Sequence, residues 1–270
     1  MPDPLAARQL LRAYGIRPQK NLGQNFIVDR EALDAILLAA ELHRTEDVVE
    51  VGAGLGALTR RLSVSAAHVT AIELDSRLIP VLKAVLQSAE NVDILAGDAL
   101  SVDIETASDY RVVANIPYTI TSALLRHYLE AEQPPDRIVL TVQSEVAERA
   151  AAQPGQMSLL ALSVQIYGEP EIRGKIPARA FYPEPEVESS ILRIDIHPTP
   201  VIEAEWIAPV FRLARAGFTQ RRKKLRNSLG PVLGNNAGEN LQAAGIDPST
   251  RAQELNLEQW EALAKVSEPG

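Results

Sequence analysis

The four residues Asn115-Ile116-Pro117-Tyr118 combine three groups suited to holding a nitrogenous base. Asparagine supplies an acceptor and a donor on one short arm. Proline fixes the backbone and presents a carbonyl with no competing N–H. Tyrosine offers a flat face on which a base can stack. Together they can grip the exocyclic amine of a base turned out of its stack. A turn that merely ends a strand accounts for Asn-x-Pro but leaves the aromatic unexplained.

A second constellation lies upstream. The stretch VVEVGAGLG, Val48 to Gly56, reads as a buried strand entering a tight turn with Gly52, Gly54 and Gly56. Glycines there let a ligand approach bare backbone and permit φ > 0. Such a turn alone also serves plain α/β packing. About 20 residues on, the strand HVTAIE ends in Glu73, followed by Asp75. An acid at that place can accept both hydroxyls of a ribose. Glu73 is assigned that role and Asp75 is read as the cap of the next helix. Asp98 follows a further strand and can accept from an adenine amino group. A dinucleotide and S-adenosylmethionine both fit such a site. The glycine spacing matches the dinucleotide fingerprint only loosely, and hydride transfer has no use for the Asn-Ile-Pro-Tyr stretch, so amine methylation is favoured.

These groups need a scaffold. Strands are expected at 48–51, 68–73, 92–95, 110–115 and 137–143, with helices at 57–64, 76–88 and 121–130 between them. That alternation implies a doubly wound parallel sheet, whose ligands bind at the carboxyl ends of the strands. Ahead of it, residues 5–14 read as a helix and Asp29 as the N-cap of a helix to about Ala40. The polar loop between them, ending in Asn25 and Phe26, could close over a ligand or simply connect. Helices at 144–152 and 158–167 and strands at 170–177 and 189–196 follow, the two strands read as a closing antiparallel pair. The loop from Phe181 to Ser190 is rigid enough to wall a base pocket, and equally serves as a connector. From Pro198 onward the pattern is helical, at 203–217, 219–230, 237–244 and 258–266.

Composition narrows the classes. The chain has 270 residues, 46% hydrophobic and 23% charged, with no cysteine. Disulfides, thiol nucleophiles and cysteine-ligated zinc are excluded, and the four histidines show no metal-ligand spacing, so no metal is expected. No apolar run reaches the ~18 residues that span a bilayer. Neither a membrane partner nor a signal peptide is expected, and the expected location is cytoplasmic. The net charge of −8 argues weakly against a polyanion partner. Yet Arg212, Arg215, Arg221, Arg222, Lys223, Lys224 and Arg226 fall between Phe211 and Gly230 with no acid among them. For nucleic acid the local patch outweighs the sum.

The chain resembles the small-subunit ribosomal RNA adenine-N6,N6 dimethyltransferases. The matching stretches are KNLGQNF (20–26), VVEVGAGLGALT (48–59), AIELD (71–75), GDAL (97–100), ANIPY (114–118), FYPEPEVESSILR (181–193) and AGFTQRRKKLRNSL (216–229). The resemblance implies an α/β, Rossmann-like S-adenosylmethionine-dependent methyltransferase fold with a small C-terminal all-helical domain. Residues 1–197 would form the S-adenosylmethionine-binding catalytic domain and 198–270 a helical RNA-binding domain. It carries the cofactor positions onto Asn25, Ile27, Gly52, Glu73, Asp98 and Asn115, and implies as substrate two adjacent adenosines in a hairpin loop near the 3′ end of 16S rRNA, in an assembling small subunit. Asn115, Pro117 and Tyr118 would handle the target base, and Arg221, Arg222, Lys223, Lys224 and Arg226 the RNA phosphates. A monomer is expected. The macrolide-resistance methyltransferases of large-subunit rRNA share the glycine turn but tend to have phenylalanine where Tyr118 stands. A ribosome-assembly factor retaining the fold without the reaction is the non-enzymatic alternative.

Overall fold

The computed structural model describes residues 7–102, 104, 109–117, 120–220 and 222–267. After α1 (Ala7–Ala13), β1 (Phe26–Ile27) and α2 (Arg30–Ala40), the chain enters a regular alternation. It runs β2 (Asp47–Val51), α3 (Thr59–Ser65), β3 (His68–Glu73), α4 (Ile79–Val85), β4 (Val92–Ala96), β5 (Tyr110–Asn115), α5 (Thr121–Leu129) and β6 (Arg137–Gln143). Next come α6 (Ser144–Ala150), α7 (Leu159–Gln165), β7 (Gly168–Ile176), β8 (Phe181–Tyr182) and β9 (Ser189–Ile196). The rest is helical: α8 (Ala204–Thr219), α9 (Leu225–Ser228), α10 (Gly230–Leu233), α11 (Ala237–Ala243) and α12 (Leu257–Ser267).

Among the described residues, seven strands form one sheet in the order β4-β3-β2-β5-β6-β9-β7. β4 through β6 pair in parallel, and β9 is antiparallel to β6. The chain steps outward from β2 to β3 and β4, then returns to the other side of β2 as β5. The strand order therefore reverses between β2 and β5, and a crevice opens at their carboxyl ends. β2 ends at the glycine turn and β5 ends at Asn115, so the topology itself brings the two constellations together.

Central strands of a parallel sheet are covered on both faces and read as near-continuous apolar runs. Val48, Val69, Val113 and Val139 lie in one core with Leu33 and Ile36 of α2 and Leu62 of α3. Ala71 lies in a second core with Leu11, Leu55, Leu78, Val81 and Leu82. At the opposite end of the sheet from the crevice, α2 terminates with Glu41 at φ 47°. The Arg111 guanidinium donates to the carbonyls of Ala40 and Glu41 and pairs with Glu46, and Arg137 Nη1 reaches the Ala40 carbonyl at 3.0 Å. The start of α2 is capped by Asp29, which accepts from Ala32 N at 2.8 Å. Both ends of α2 are thus fastened.

The chain divides into two compact units, 1–147 with 171–196, and 148–170 with 197–270. This differs from a division at 197/198, because 148–170 goes with the helical unit. The reason is packing: Met157, Ala161, Leu162 and Ile166 share one buried cluster with Leu213, Leu225, Trp260 and Leu263. A helix over 219–230 is also replaced. α8 stops at Thr219, and α9 and α10 are two short turns, α10 with Pro231 in its opening turn. Arg222, Lys223 and Lys224 repel one another and stay in solvent, while Leu225 and Leu229 are fully buried.

Candidate active site

All three glycines of the turn after β2 have positive φ: 76° at Gly52, 59° at Gly54 and 79° at Gly56. The conformation excludes most side chains, and space does so as well. A Cβ at Gly54 would stand 3.1 Å from the Phe26 ring, and one at Gly52 would stand 3.3 Å from the Asn115 carbonyl. Gly52 N and Ala53 N both donate to the Ile72 carbonyl, at 2.9 and 3.1 Å, locking the turn to β3. Helix α3 begins at Thr59 rather than Ala57, since residues 53–58 are used by the turn.

Glu73 closes β3 with its carboxylate folded back over that turn. Its Oε2 accepts from Gly54 N at 2.7 Å and its Oε1 from Asp75 N at 2.8 Å. Burial raises its carboxyl above the usual range, and those two N–H donors offset part of the effect. Asp75 caps the turn that leads into α4 and does more besides. α4 begins only at Ile79, but Asp75 Oδ1 accepts from Arg77 N at 3.1 Å in the preceding turn, and the carboxylate also receives the Arg77 guanidinium and the Gln24 side chain, the latter at 2.8 Å. The hydrogen bonds from Arg77 hold its carboxyl down to about 2. Asp98, in the turn after β4, is exposed and accepts from Leu100 N at 3.0 Å. Leu74, next to Glu73 in the chain, leaves an apolar side chain 58% exposed at the cavity.

Asn115 is fixed from both sides. Its Nδ2 donates to the Asn25 carbonyl at 3.0 Å, and its Oδ1 accepts from Thr141 Oγ at 2.5 Å. A main-chain carbonyl can only accept, so the side-chain NH2 must face Asn25 and the oxygen must face Thr141. Thr141 sits opposite Asn115 in the β5–β6 register and is 1% exposed. The amide oxygen keeps a second lone pair for a ligand.

The 19–25 loop crosses the crevice between these walls. Gln24 Oε1 accepts from Gln19 N at 2.8 Å while its Nε2 holds Asp75. Gly23, at φ 59°, lies so close to Pro117 that a Cβ would come within 2.7 Å of the proline ring. The loop is therefore fastened to the end of β3 on one side and to the end of β5 on the other.

One cavity is lined by Asn25, Gly52, Glu73, Asp98, Asn115 and Pro117 together. Ile27 is not among its walls. Its side chain is 4% exposed in the core beneath, and in β1 it pairs with Phe181. Phe181 and Tyr182 do not wall this cavity either. They form β8, which anchors β1 and hence the loop, and the Arg8 guanidinium lies 4.6 Å from the Tyr182 ring centre. Tyr118 and Arg221 fall outside the described residues. Of the basic run, Arg222, Lys223, Lys224 and Arg226 are all exposed on the helical unit.

Three residues of the site were not singled out by sequence reasoning. Thr141 interrupts an apolar strand, RIVLTVQ, and that interruption was its signal. Glu50 carries the same signal within VVEV. It is 1% exposed behind the glycine turn, with Oε2 unpartnered among the described residues, and burial, aided by the Glu73 carboxyl, pushes it up to about 8. Gln24 had no signal beyond its place in the loop.

Comparison with known proteins gives a consistent picture. The family profile described as "Ribosomal RNA adenine dimethylase" matches residues 16–268. A Dehalococcoides mccartyi protein named "Ribosomal RNA small subunit methyltransferase A" is 42% identical over 267 residues, covering 96% of this chain and 92% of its own length. A Moorella thermoacetica protein of the same name is 41% identical over 273 residues, covering 95% of each. Among solved structures, the 23S rRNA methyltransferase ErmE aligns with a TM-score of 0.74 at 29% identity, covering 90% of this chain and 99% of that one. A dimethyladenosine transferase from Plasmodium falciparum shares the fold, with a TM-score of 0.74 at 24% identity and 87% and 94% coverage. The architecture is the α/β, Rossmann-like fold of methyltransferases. Among the described residues, no helix is long and apolar enough to cross a membrane.

Proposed function

The chain belongs to the ribosomal RNA adenine dimethylase family, and we propose that it dimethylates the N6 amines of two adjacent adenosines in the 3′-terminal hairpin loop of 16S rRNA, using S-adenosylmethionine, during small-subunit biogenesis. The observation that carries this reading is the Asn115 amide, held by Asn25 and Thr141 on the same cavity as Glu73 and Asp98.

The residues present fit the cofactor. Glu73 offers carboxylate oxygens for a ribose diol, Asp98 an exposed acceptor for an adenine amino group, and Leu74 an apolar surface for the ring. The glycine turn lines the cavity with bare backbone at Gly52 and Gly54, against which the amino-acid part can lie. When bound, the cofactor supplies an electrophilic sulfonium methyl group.

The protein's task is to make a poor nucleophile react. The lone pair of an adenine amine is delocalised into the ring. Asn115 Oδ1 and the carbonyl of Ile116 or Pro117 accept from that amine, which favours a more tetrahedral nitrogen and stabilises its developing positive charge. Tyr118 stacks on the base. No strong general base is needed, since the proton leaves to water after transfer, and positioning is the main contribution. Arg221, Arg222, Lys223, Lys224 and Arg226 hold RNA phosphates, so binding weakens steeply with salt. Neutralising the first four together is expected to lower RNA affinity, and unchanged affinity would remove them from the interface.

The test is methyl transfer from labelled S-adenosylmethionine to small subunits lacking the modification, with large-subunit RNA in parallel. Label on the small subunit supports the reading. Label on large-subunit RNA would favour the activity named for the ErmE structure. Binding without label on either would point to an assembly factor.

A further inference from the structure

The helical unit carries a second concavity, of about 340 Å³, lined by Arg149, Ser158, Leu159, Arg215, Phe218 and Thr219. Arg149 comes from α6 and Arg215 from α8, 66 positions apart in the chain, so no linear charge count groups them. None of the lining residues is acidic. Neither guanidinium has an ion-pair partner among the described residues, and both residues are exposed.

The other polar groups of the depression are already committed. Ser158 Oγ accepts from Ala161 N at 3.1 Å and donates to the Arg149 carbonyl at 3.2 Å. Thr219 Oγ donates to the Arg215 carbonyl at 2.7 Å. What the concavity offers a ligand is therefore two arginine forks, which carry only donors and match a group that carries only acceptors. Phe218 is not free to stack a base, because its ring packs at 5.8 Å on Trp260 in the core. It supplies an apolar wall. The chemistry is that of a phosphate rather than a nucleobase. The exposed cations Arg222, Lys223, Lys224 and Arg226 belong to the same unit and lie shortly after the end of α8, so a polyanionic strand held by them would have its next anchor here.

We propose that this depression grips a backbone phosphate of the RNA through Arg149 and Arg215, as an anchor additional to the basic run. The proposal rests on the RNA-methyltransferase reading above.

The test uses the full chain and a hairpin RNA with two adjacent loop adenosines, with dissociation constants measured across a salt series. Arg149→Gln/Arg215→Gln should bind more weakly and lower the slope of log Kd against log salt by about 1. Turnover at saturating RNA and cofactor affinity should stay unchanged. Arg149→Lys/Arg215→Lys keeps the charge and should recover most of the slope. If the glutamine variant keeps the parent's affinity and slope while neutralising Arg222, Lys223 and Lys224 lowers both, the depression is not an RNA site. If it binds naked RNA normally but loses affinity for small subunits, the ligand is a ribosomal protein and the phosphate assignment is wrong. Should the parent itself bind RNA with no salt dependence, the RNA-methyltransferase reading fails, and this proposal with it.

Discussion

Thr141→Val isolates one hydrogen bond of the site. Valine copies the shape of threonine, so no cavity opens in β6, and only the 2.5 Å bond from Oγ to Asn115 Oδ1 is lost. Thr141 lies in a fully covered strand. The stability cost is therefore that of one buried hydrogen bond, about 1 kcal/mol, offset in part by burying a methyl group. The effect on the reaction should be larger. Removing outright a group that stabilises transition-state charge costs about 2.7–4 kcal/mol. Here the acceptor stays but is held only through Nδ2, so roughly half is expected: about 1.5–2 kcal/mol, or 10- to 30-fold in kcat. Thr141 is not a wall of the cavity, so cofactor affinity should not move. Single-turnover methyl transfer with calorimetric cofactor binding reads both. Thr141→Ser restores the hydroxyl and should restore most of the rate despite a lost methyl group. A valine variant within twofold of the parent, alongside an inactive Asn115→Ala, would refute the view that Thr141 aims the amide.

Three further outcomes follow from the geometry. Glu50 keeps a proton in the folded protein that the unfolded chain releases, so its presence lowers stability progressively as pH rises from 4.5 to about 8. In urea titrations, the stability of Glu50→Gln relative to the parent should climb between pH 5 and 8, on the order of a few kcal/mol; a difference independent of pH would show that Glu50 is ionised when folded. Gly54→Ala forces a side chain onto φ 59° and against Phe26, so it should cost about 1–3 kcal/mol of stability and weaken cofactor binding, both measurable by thermal shift with and without cofactor. Gln24→Leu cuts the tie to Asp75 and should raise the cofactor Kd while leaving the melting temperature of the cofactor-free protein nearly unchanged; an unaltered Kd would make the tie incidental.

Much of this architecture was legible because the determinants are local. Strands at 68–73, 110–115 and 137–143 are the ranges observed, since buried parallel strands must be apolar runs and their ends are marked by polar or turn residues. Asp29 caps α2 as its type and place require. The glycines announced positive φ. What was not legible depends on contacts distant in sequence. Asn115 could be seen as a ligand for an amine, but not that Asn25 and Thr141, 90 and 26 positions away, dictate which way its amide points. Asp75 reads as a cap, and it does accept from Arg77 N, but its further ties to the Gln24 side chain and the Arg77 guanidinium were not visible in the sequence. Phe181 and Tyr182 had the composition of a pocket wall, and only the β1–β8 pairing shows them as an anchor. The segment 148–170 gave no sign of joining the later helices, because burial against Leu213 and Trp260 is a property of the folded chain.

The most direct measurement is mass spectrometry of the 3′-terminal fragment of 16S rRNA after incubating unmodified small subunits with the protein and S-adenosylmethionine. The account predicts two methyl groups on N6 of each of two neighbouring loop adenosines, and none when Asn115 is alanine. Methylation at any other nucleotide, or an Asn115→Ala protein that methylates as the parent does, would contradict it.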